Sequence, residues 1–549
     1  MLKRPTFGGL ALAVLFWWKS LTPSMLPRSW LAQACVSAVC IAFALIVGTI
    51  AGHYLHRLLV RISRQPSLRF RTNLWRALPA AALAFLVAGA VVWPRWQNEQ
   101  RALVSMDRLA PVNVIPMLIA TVPLTMLLVV IGRGIWKGIR GLDRRVSKLL
   151  PRSGAIVFTL VAAVLIGRAV LGVGFGWMED RVRNTFGAID NGTDEGVEQP
   201  QTPTLSGSPT SFISWDSLGR PGRNFINEVT SQEDLIAFRG ADAIVREPVR
   251  VYAGLRSADT AAERSALAVK DLERAGGFDR AVLVVTTVTG TGWVDPDAAT
   301  AIEQLYGGDT AMIAIQYSYL PSWISTLADG DVSTAAGSEL FEAVHQRWSE
   351  LPEDARPQLL VFGQSLGSFG AEGAFAGLNA RASAANLVGR TQGALFTGPT
   401  NNNIIWRQLT AERDPGSPVW RPVYDGGESI RFANQPAQLI DNDPTWTEPR
   451  ILYIQHPSDP VTFWDMPTLW SKPEWMDAPV GYDIPQRVSW FPFVSWAQGV
   501  GDLTAGFSAE PGFGHDYRNA FVAGWAAISA PDGWTAADTA RLAAFLGRG

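Results

Sequence analysis

Long apolar runs dominate the first third of the chain, and shorter ones alternate with amphipathic stretches in the rest. The long runs extend over about Trp30–Gly52, Trp75–Trp93, Val112–Ile131 and Ala155–Phe175, each nearly free of charge. Runs of about twenty apolar residues are long enough to cross a bilayer as helices. A shorter run, Phe7–Trp18, ends in two tryptophans that suit a membrane interface, so we expect a fifth span, with a cleaved signal peptide as the alternative.

The distribution of basic residues predicts the topology of these spans. Segments 57–76 and 133–152 are rich in arginine and lysine and nearly free of acids, whereas segment 94–111 is mixed. Basic loops stay on the cytoplasmic side. Five spans then give a multi-pass plasma-membrane protein, in contact with the lipid bilayer, whose N-terminus is cytoplasmic and whose chain after Phe175 is extracytoplasmic. If the first run were instead a cleaved signal peptide, the remaining four spans would place the same part of the chain, after Phe175, outside the cytoplasm.

Beyond the spans, the pattern predicts a linker and one large globular domain. Residues 187–212 are rich in Asp, Asn, Gly, Thr, Pro, Ser and Gln, a composition typical of a linker or loose surface segment. A chain of 549 residues is too long for one hydrophobic core. We therefore expect a membrane domain over 1–180, a linker over 181–213 and a catalytic domain over 214–549.

The globular part alternates short β-rich runs with helical stretches, which predicts a doubly wound, mostly parallel sheet because strands buried on both faces read as continuous apolar runs. The predicted helices include 260–275 and 335–351. The predicted strands are Val249–Ala253, Ala281–Val288, Ala311–Tyr319, Leu359–Phe362, Ala394–Thr397 and Arg450–Gln455.

Charge and cysteine content exclude several kinds of site. The net charge is −2 and no basic domain is present, so a nucleic-acid partner is not expected. Cys35 and Cys40 are the only cysteines and lie in one apolar run, which leaves the globular part without a Cys nucleophile or a Cys-ligated zinc. We predict no metal and no cofactor.

One sequence motif in the predicted α/β domain indicates a catalytic residue. Gly363-Gln364-Ser365-Leu366-Gly367 follows a predicted strand directly and opens a small-residue helix, predicted over Ser368–Gly377. A G-x-S-x-G turn between a strand and a helix is typical of a nucleophile elbow, in which two glycines keep side chains away from an exposed serine hydroxyl. The pattern alone occurs often by chance, so its partners decide the interpretation.

A serine needs a base, which follows the acid in the chain order of this fold. The globular part has three histidines: His345 lies upstream of Ser365, and His456 precedes the predicted acid. His515, in a glycine-rich loop before the last helical stretch, is therefore the predicted base. Asp459, after the strand Arg450–Gln455, is the predicted acid that orients it.

An acyl-transfer site also needs oxyanion donors and a substrate pocket. We expect the amide of Leu366 to be one donor and the amide of Thr291 or Gly290, in a glycine loop after a predicted strand, to be the other. Trp293, Trp464 and Trp496 are predicted pocket residues. The aromatic segment that contains the last two fits an acyl-chain pocket or lid, and equally well extra core or an aromatic surface on the membrane.

These motifs resemble a chiefly bacterial family of multi-spanning α/β-hydrolases with an N-terminal membrane domain and a C-terminal serine hydrolase domain. The chain departs from the common family pattern at Val288, where proline is usual, and at Gln364, where glutamate is usual. The resemblance implies an α/β-hydrolase fold and the triad above. It rests on 289–296 (TGTGWVDP), 316–323 (QYSYLPSW), the elbow at 363–367, 455–461 (QHPSDPV) and Gly514-His515.

The sequence thus predicts an N-terminal transmembrane bundle followed by an α/β-hydrolase domain that cleaves acyl esters of a lipid or envelope component through an acyl-enzyme on Ser365. Two alternatives stay open. One is an acyltransferase that passes the acyl group to a hydroxyl acceptor. The other is a transporter or structural membrane protein with an inactive hydrolase domain. The predicted spans contain no acidic residues, which disfavours a transporter.

Overall fold

The computed structural model describes residues 5–62, 67–147, 185–321, 330–439 and 444–547. The chain divides into two compact units: Met1–Glu179 with Trp464–Glu510, and Asp180–Phe463 with Pro511–Gly549. We call the first the helical unit and the second, which contains the predicted residues Ser365, Asp459 and His515, the catalytic unit. The units differ from the predicted domains in two respects. Segment 464–510 lies in the helical unit although its neighbours in sequence belong to the catalytic unit, and the predicted linker 181–213 lies in the catalytic unit.

The helical unit contains three described helices that are long and apolar enough to cross a membrane, together with a shorter apolar helix. The short predicted run Phe7–Trp18 forms the shorter helix, and the first three long predicted runs form the three long helices. The predicted span Ala155–Phe175 lies outside the described residues. The helices are α1 (Phe7–Ser20), α2 (Trp30–Arg61), α3 (Leu68–Leu103) and α4 (Val114–Val146).

Small residues allow α1 and α2 to approach closely. A Cβ on Gly48 would lie 2.7 Å from the Cα of Gly9, and a Cβ on Gly9 would lie 2.6 Å from the Thr49 hydroxyl. Close backbone packing at small residues is a common means of association between apolar helices, because lipid offers no hydrophobic force to hold them together.

Segment 464–510 is held in the helical unit by aromatic packing and by a buried polar network. The ring of Phe493 stacks on Phe43 of α2 at 3.6 Å, and Phe491 packs edge-on against Phe16 of α1. Asp502, in the helix Val494–Gly506, accepts hydrogen bonds from the Ser24 hydroxyl at 2.8 Å and the Met25 amide at 3.1 Å. The segment is therefore part of the core of this unit.

The catalytic unit is built on a seven-stranded parallel sheet in the order β1-β3-β2-β4-β5-β7-β6. Six strands coincide with predicted runs, and β6 was not predicted. The strands are β1 (Val249–Ala253), β2 (Val282–Thr287), β3 (Thr310–Ile315), β4 (Gln358–Gln364), β5 (Gly393–Thr397), β6 (Ile430–Ala433) and β7 (Arg450–Ile454).

Helices cover both faces of the sheet, so it is doubly wound as predicted. One face carries Ala261–Arg274, Gly330–Ser349 and Leu366–Glu372, and the other carries Pro296–Leu305, Phe521–Ser529 and Ala536–Phe545. Other described helices of the unit include Gly219–Asn227, Gln232–Arg239, Ala380–Arg390, Ile404–Ala411 and Pro460–Phe463.

Much of the segment predicted as a linker packs on the catalytic unit. Residues 185–191 are helical, and Leu205 forms a parallel bridge with Arg250 of β1. The hydroxyl of Ser206 donates a hydrogen bond to Asp271 at 2.7 Å. The same hydroxyl accepts from the amide of Tyr252 in β1 at 3.2 Å, so polar side chains of this segment bond both to the helix Ala261–Arg274 and to the edge strand of the sheet.

Candidate active site

Ser365 stands in the turn between β4 and the helix Leu366–Glu372, as the sequence predicts for an elbow. Its backbone has φ 55° and ψ −126°, a region that residues with a Cβ rarely adopt. Such strain persists only where the surrounding structure enforces it, and it is concentrated at functional sites. The side chain is 6% exposed.

The two glycines of the motif make this turn possible. A Cβ on Gly363 would lie 2.6 Å from the carbonyl oxygen of Gly367, and a Cβ on Gly367 would collide with the carbonyl oxygen of Thr287 at the end of β2. Real Cβ atoms do not approach so closely, so any other residue would push the elbow away from the sheet.

The predicted base and acid form a buried pair. Nδ1 of His515 lies 2.7 Å from Oδ2 of Asp459, and their side chains are 3% and 0% exposed. A carboxylate can only accept from this nitrogen, so the pairing fixes the proton on Nδ1 and leaves Nε2 as the basic atom of a neutral ring. The amide of Val461 donates to the other oxygen, Oδ1, at 2.8 Å.

The ends of neighbouring strands bring this pair to the elbow. The amide of Ser365 donates to the carbonyl of Thr397, the last residue of β5, at 2.9 Å. The next residue, Gly398, has φ 56°, and a Cβ there would lie 2.7 Å from Cε1 of His515. Ser365 and the pair of Asp459 and His515 thus lie at the carboxyl ends of the neighbouring strands β4, β5 and β7, the edge where α/β sheets place their ligands.

Sequence reasoning missed two hydroxyl groups that hold the acid. The hydroxyl of Tyr517 donates to Oδ2 of Asp459 at 2.7 Å, and the hydroxyl of Thr462 lies 3.2 Å from the same atom. Tyr517 follows the predicted base by two residues, but a tyrosine at the start of a helical stretch gives no local sign of a partner 58 residues away.

His456 has a structural role beside the pair. Its ring stacks on Tyr517 at 4.3 Å, and its Nδ1 lies 2.9 Å from the carbonyl oxygen of Gly514, which identifies Nδ1 as the donor. Burial lowers the pKa of His456 to about 4. The ring is therefore neutral near pH 7 and fixes the backbone of the residue before His515.

The glycine loop after β2, residues 289–293, forms a tight turn that is held by hydrogen bonds within the loop and by one from Tyr252. The amide of Thr289 donates to the carbonyl of Trp293 at 3.0 Å, and the amide of Gly292 donates to the carbonyl of Thr289 at 2.9 Å. The hydroxyl of Tyr252 donates to the carbonyl of Gly292 at 2.7 Å. The turn uses the amides of Thr289 and Gly292 internally, and Thr291 and Gly290 stay the predicted oxyanion donors. Leu366, the other predicted donor, is the first residue of the elbow helix.

A buried carboxyl group lies next to the residue that precedes the nucleophile. Asp295 is 3% exposed, caps the helix Pro296–Leu305 through the amide of Asp297 at 3.0 Å, and is hydrogen-bonded to the side chain of Gln364. Burial raises the pKa of Asp295 to about 7, and the charge of Asp297 adds to this. Glutamate is usual at position 364 in the family that the sequence resembles. Gln364 instead gives Asp295, whose pKa is about 7, a hydrogen-bond partner without charge.

The predicted pocket residues fall in different units. Trp293 belongs to the catalytic unit and is 40% exposed. Trp464 and Trp496 belong to the helical unit, where the indole N–H of Trp464 donates to the carbonyl of Trp496 at 3.1 Å. Their role in substrate binding stays a prediction. Within the described ranges, no group of three or more His, Cys, Asp or Glu residues is arranged to hold a metal ion.

Comparison with known proteins gives two family matches. A family model described as the alpha/beta-hydrolase family matches residues 249–542, and the model of that family's N-terminus matches residues 21–229. No curated protein and no solved structure matches the chain.

Proposed function

Because this chain belongs to the alpha/beta-hydrolase family, we propose that it is a serine hydrolase that cleaves acyl esters through a covalent intermediate on Ser365. The observation that carries the proposal is the buried 2.7 Å contact between His515 and Asp459 at the strand ends that hold the strained Ser365. A strained serine beside an oriented imidazole is the arrangement that acyl transfer needs.

In the proposed reaction, Oγ of Ser365 attacks the ester carbonyl carbon while Nε2 of His515 accepts the hydroxyl proton. Asp459 keeps the imidazole in the required tautomer and stabilises its positive charge. The amides of Leu366 and of Thr291 or Gly290 stabilise the oxyanion. Collapse of the tetrahedral intermediate breaks the ester C–O bond, and His515 returns the proton to the leaving alcohol. Water then hydrolyses the acyl-enzyme by the same steps.

The proposed substrate is an ester of a lipid or of another envelope component. Three described helices long and apolar enough to cross a membrane support this, since they would keep the catalytic unit close to lipid headgroups. The basic segments 57–76 and 133–152 support a catalytic unit on the extracytoplasmic side of the plasma membrane. Trp293, a partly exposed residue of the catalytic unit, is proposed to contact the acyl chain.

The test is hydrolysis of chromogenic esters of graded acyl length and of phospholipids by the purified full chain. We expect turnover that is lost in Ser365→Ala and kept in Ser214→Ala, a matched change at an exposed serine outside the site. Products are identified by mass spectrometry with and without hydroxyl acceptors. Acylated acceptors would reassign the protein as an acyltransferase. A chain that reacts with a fluorophosphonate at Ser365 but turns over no ester would contradict the proposal.

A further inference from the structure

The helical unit contains a cavity of about 210 Å³ between α1, α2 and α4. Its wall is almost entirely apolar, and two of its residues, Ile50 and Ile135, are 36% and 61% exposed, so the cavity opens at the outer surface of the helices. The volume holds a stretch of methylene groups and is too small for a whole lipid. The lining includes Leu10, Leu45, Ile46, Val129, Gly132 and Trp136.

One end of the cavity is basic. Among the described residues that line it, Arg133 is the only charged one, and the same stretch of α4 continues with Lys137 and Arg140. The guanidinium of Arg140 lies over the ring of Trp136 at 5.1 Å from its centroid. An apolar slot that ends at clustered cations matches an acyl chain joined to an anionic headgroup, whereas a neutral apolar molecule would gain nothing from the cations.

A buried polar atom beside the cavity adds a second observation. The indole Nε1 of Trp136 is buried and has no hydrogen-bond partner among the described residues. An unpaired buried N–H is costly, and tryptophan at a membrane interface normally pairs this group. A phosphate or ester oxygen at the basic end would supply the acceptor after a small rotation of the indole.

We propose that this cavity binds one acyl chain of an anionic phospholipid, whose phosphate contacts Arg133 and the indole of Trp136. The site is independent of the triad, so it stands or falls separately from the hydrolase proposal. Its occupant is a lipid of the surrounding bilayer, held at a fixed place on the helical unit.

The test uses the purified full chain with a phosphatidylglycerol that carries a photoreactive diazirine in one acyl chain, compared with the phosphatidylcholine of the same chains. We expect cross-links concentrated within 45–50 and 129–139, reduced by excess unlabelled phosphatidylglycerol, and weaker with phosphatidylcholine. Arg133→Gln should lower the labelling by phosphatidylglycerol by about tenfold, because it removes a charge-assisted contact to phosphate.

Two glycines of α4 offer a matched control. A Cβ on Gly132 would point toward Ile46 at 3.3 Å, whereas a Cβ on Gly134 would meet nothing within 4 Å. Gly132→Leu should fill the cavity and reduce cross-linking severalfold, and Gly134→Leu should not. Cross-links spread evenly over the outer helix faces, or equal labelling by both lipids, would overturn the proposal. If a variant does not fold, competition in the unaltered chain still tests the proposal. Excess unlabelled phosphatidylglycerol should reduce the cross-links, and no reduction would overturn it.

Discussion

Both units of the chain bury a carboxylate completely, and the two carboxylates have different surroundings. In the catalytic unit, Asp459 accepts from an imidazole, the Tyr517 hydroxyl and an amide. In the helical unit, Asp502 accepts from Ser24 and Met25 and lies 4.0 Å from Nε of the buried Arg28.

The comparison shows that burial of charge alone does not identify a catalytic group. Asp502 joins its helix to a loop 478 residues away in sequence, and the guanidinium of Arg28 beside it donates to the carbonyls of Ser20 and Thr22. Asp459 is instead paired with a histidine that lies against Gly398, the residue after β5, and the last carbonyl of β5 accepts from the amide of Ser365. We therefore take the strained backbone at Ser365 as the feature that distinguishes the proposed catalytic pair from a structural charge pair.

The largest expected effect is loss of the oriented histidine. Asp459→Asn should lower kcat/KM for ester hydrolysis by about 10⁴-fold, because the amide favours the wrong imidazole tautomer. The check is steady-state kinetics, with thermal unfolding to show that the chain is folded. Asp532→Asn, at an exposed aspartate of the same unit, is the control and should leave the rate unchanged. A loss of less than tenfold would remove Asp459 from the proposed triad.

The corresponding change in the helical unit should affect stability and spare the chemistry. Asp502→Ala leaves the guanidinium of Arg28 buried without its carboxylate, which should cost about 3 kcal/mol of unfolding free energy. Burial raises the pKa of Asp502 to about 6, and Arg28 partly offsets this shift. Thermal unfolding measures the loss, and fluorophosphonate labelling per folded molecule should be unchanged.

The matched control is Asp477→Ala, which removes an exposed ion pair with Lys472. Exposed pairs contribute little, so its unfolding temperature should stay close to that of the parent chain. If Asp477→Ala destabilised the chain as much as Asp502→Ala, the buried network would have no special role in the helical unit.

Acid should destabilise the catalytic unit through His456. Because burial lowers its pKa to about 4, the unfolded chain binds a proton below pH 6.5 that the folded chain does not bind. Stability is therefore full above pH 6.5 and is lost as the pH falls toward 4, by up to about 3 kcal/mol. His456→Asn should flatten this dependence in unfolding followed from pH 7.5 to 4.5. An unchanged slope would show that His456 is not the responsible group.

A smaller effect is expected from the tyrosine behind the acid. Tyr517→Phe removes one hydrogen bond to Asp459, which should lower kcat by roughly tenfold with little change in KM. Tyr453→Phe is a matched control, because that buried hydroxyl donates to Glu372, outside the proposed triad, at 2.9 Å. It should reduce stability and leave kcat unchanged. Equal losses of kcat in both variants would mean that Tyr517 acts only through packing.

Much of the fold could be predicted because parallel strands buried on both faces appear as continuous apolar runs. The unpredicted strand, β6, is an edge strand of four residues whose apolar run is interrupted by Arg431. Local pattern also assigned segment 464–510 to the catalytic domain. Its place in the helical unit depends on contacts such as Ser24 to Asp502, which no nearby residue signals.

Residue type and the order of residues along the chain were enough to predict the three residues of the proposed triad. Ser365, Asp459 and His515 each follow a predicted strand or lie in a glycine-rich loop, and the order of acid and base selects among the histidines. Tyr517 and Thr462 could not be found this way, because a hydroxyl that holds a carboxylate has no spacing rule of its own.

The central claim is that Ser365 is an activated nucleophile. The most direct test is the rate at which a fluorophosphonate modifies the purified full chain, with the modified residue located by mass spectrometry of its peptides. The account predicts rapid modification at Ser365 alone, slowed by several orders of magnitude in His515→Ala and unchanged in His345→Ala. Absence of modification at Ser365, or an equal rate in His515→Ala, would contradict it.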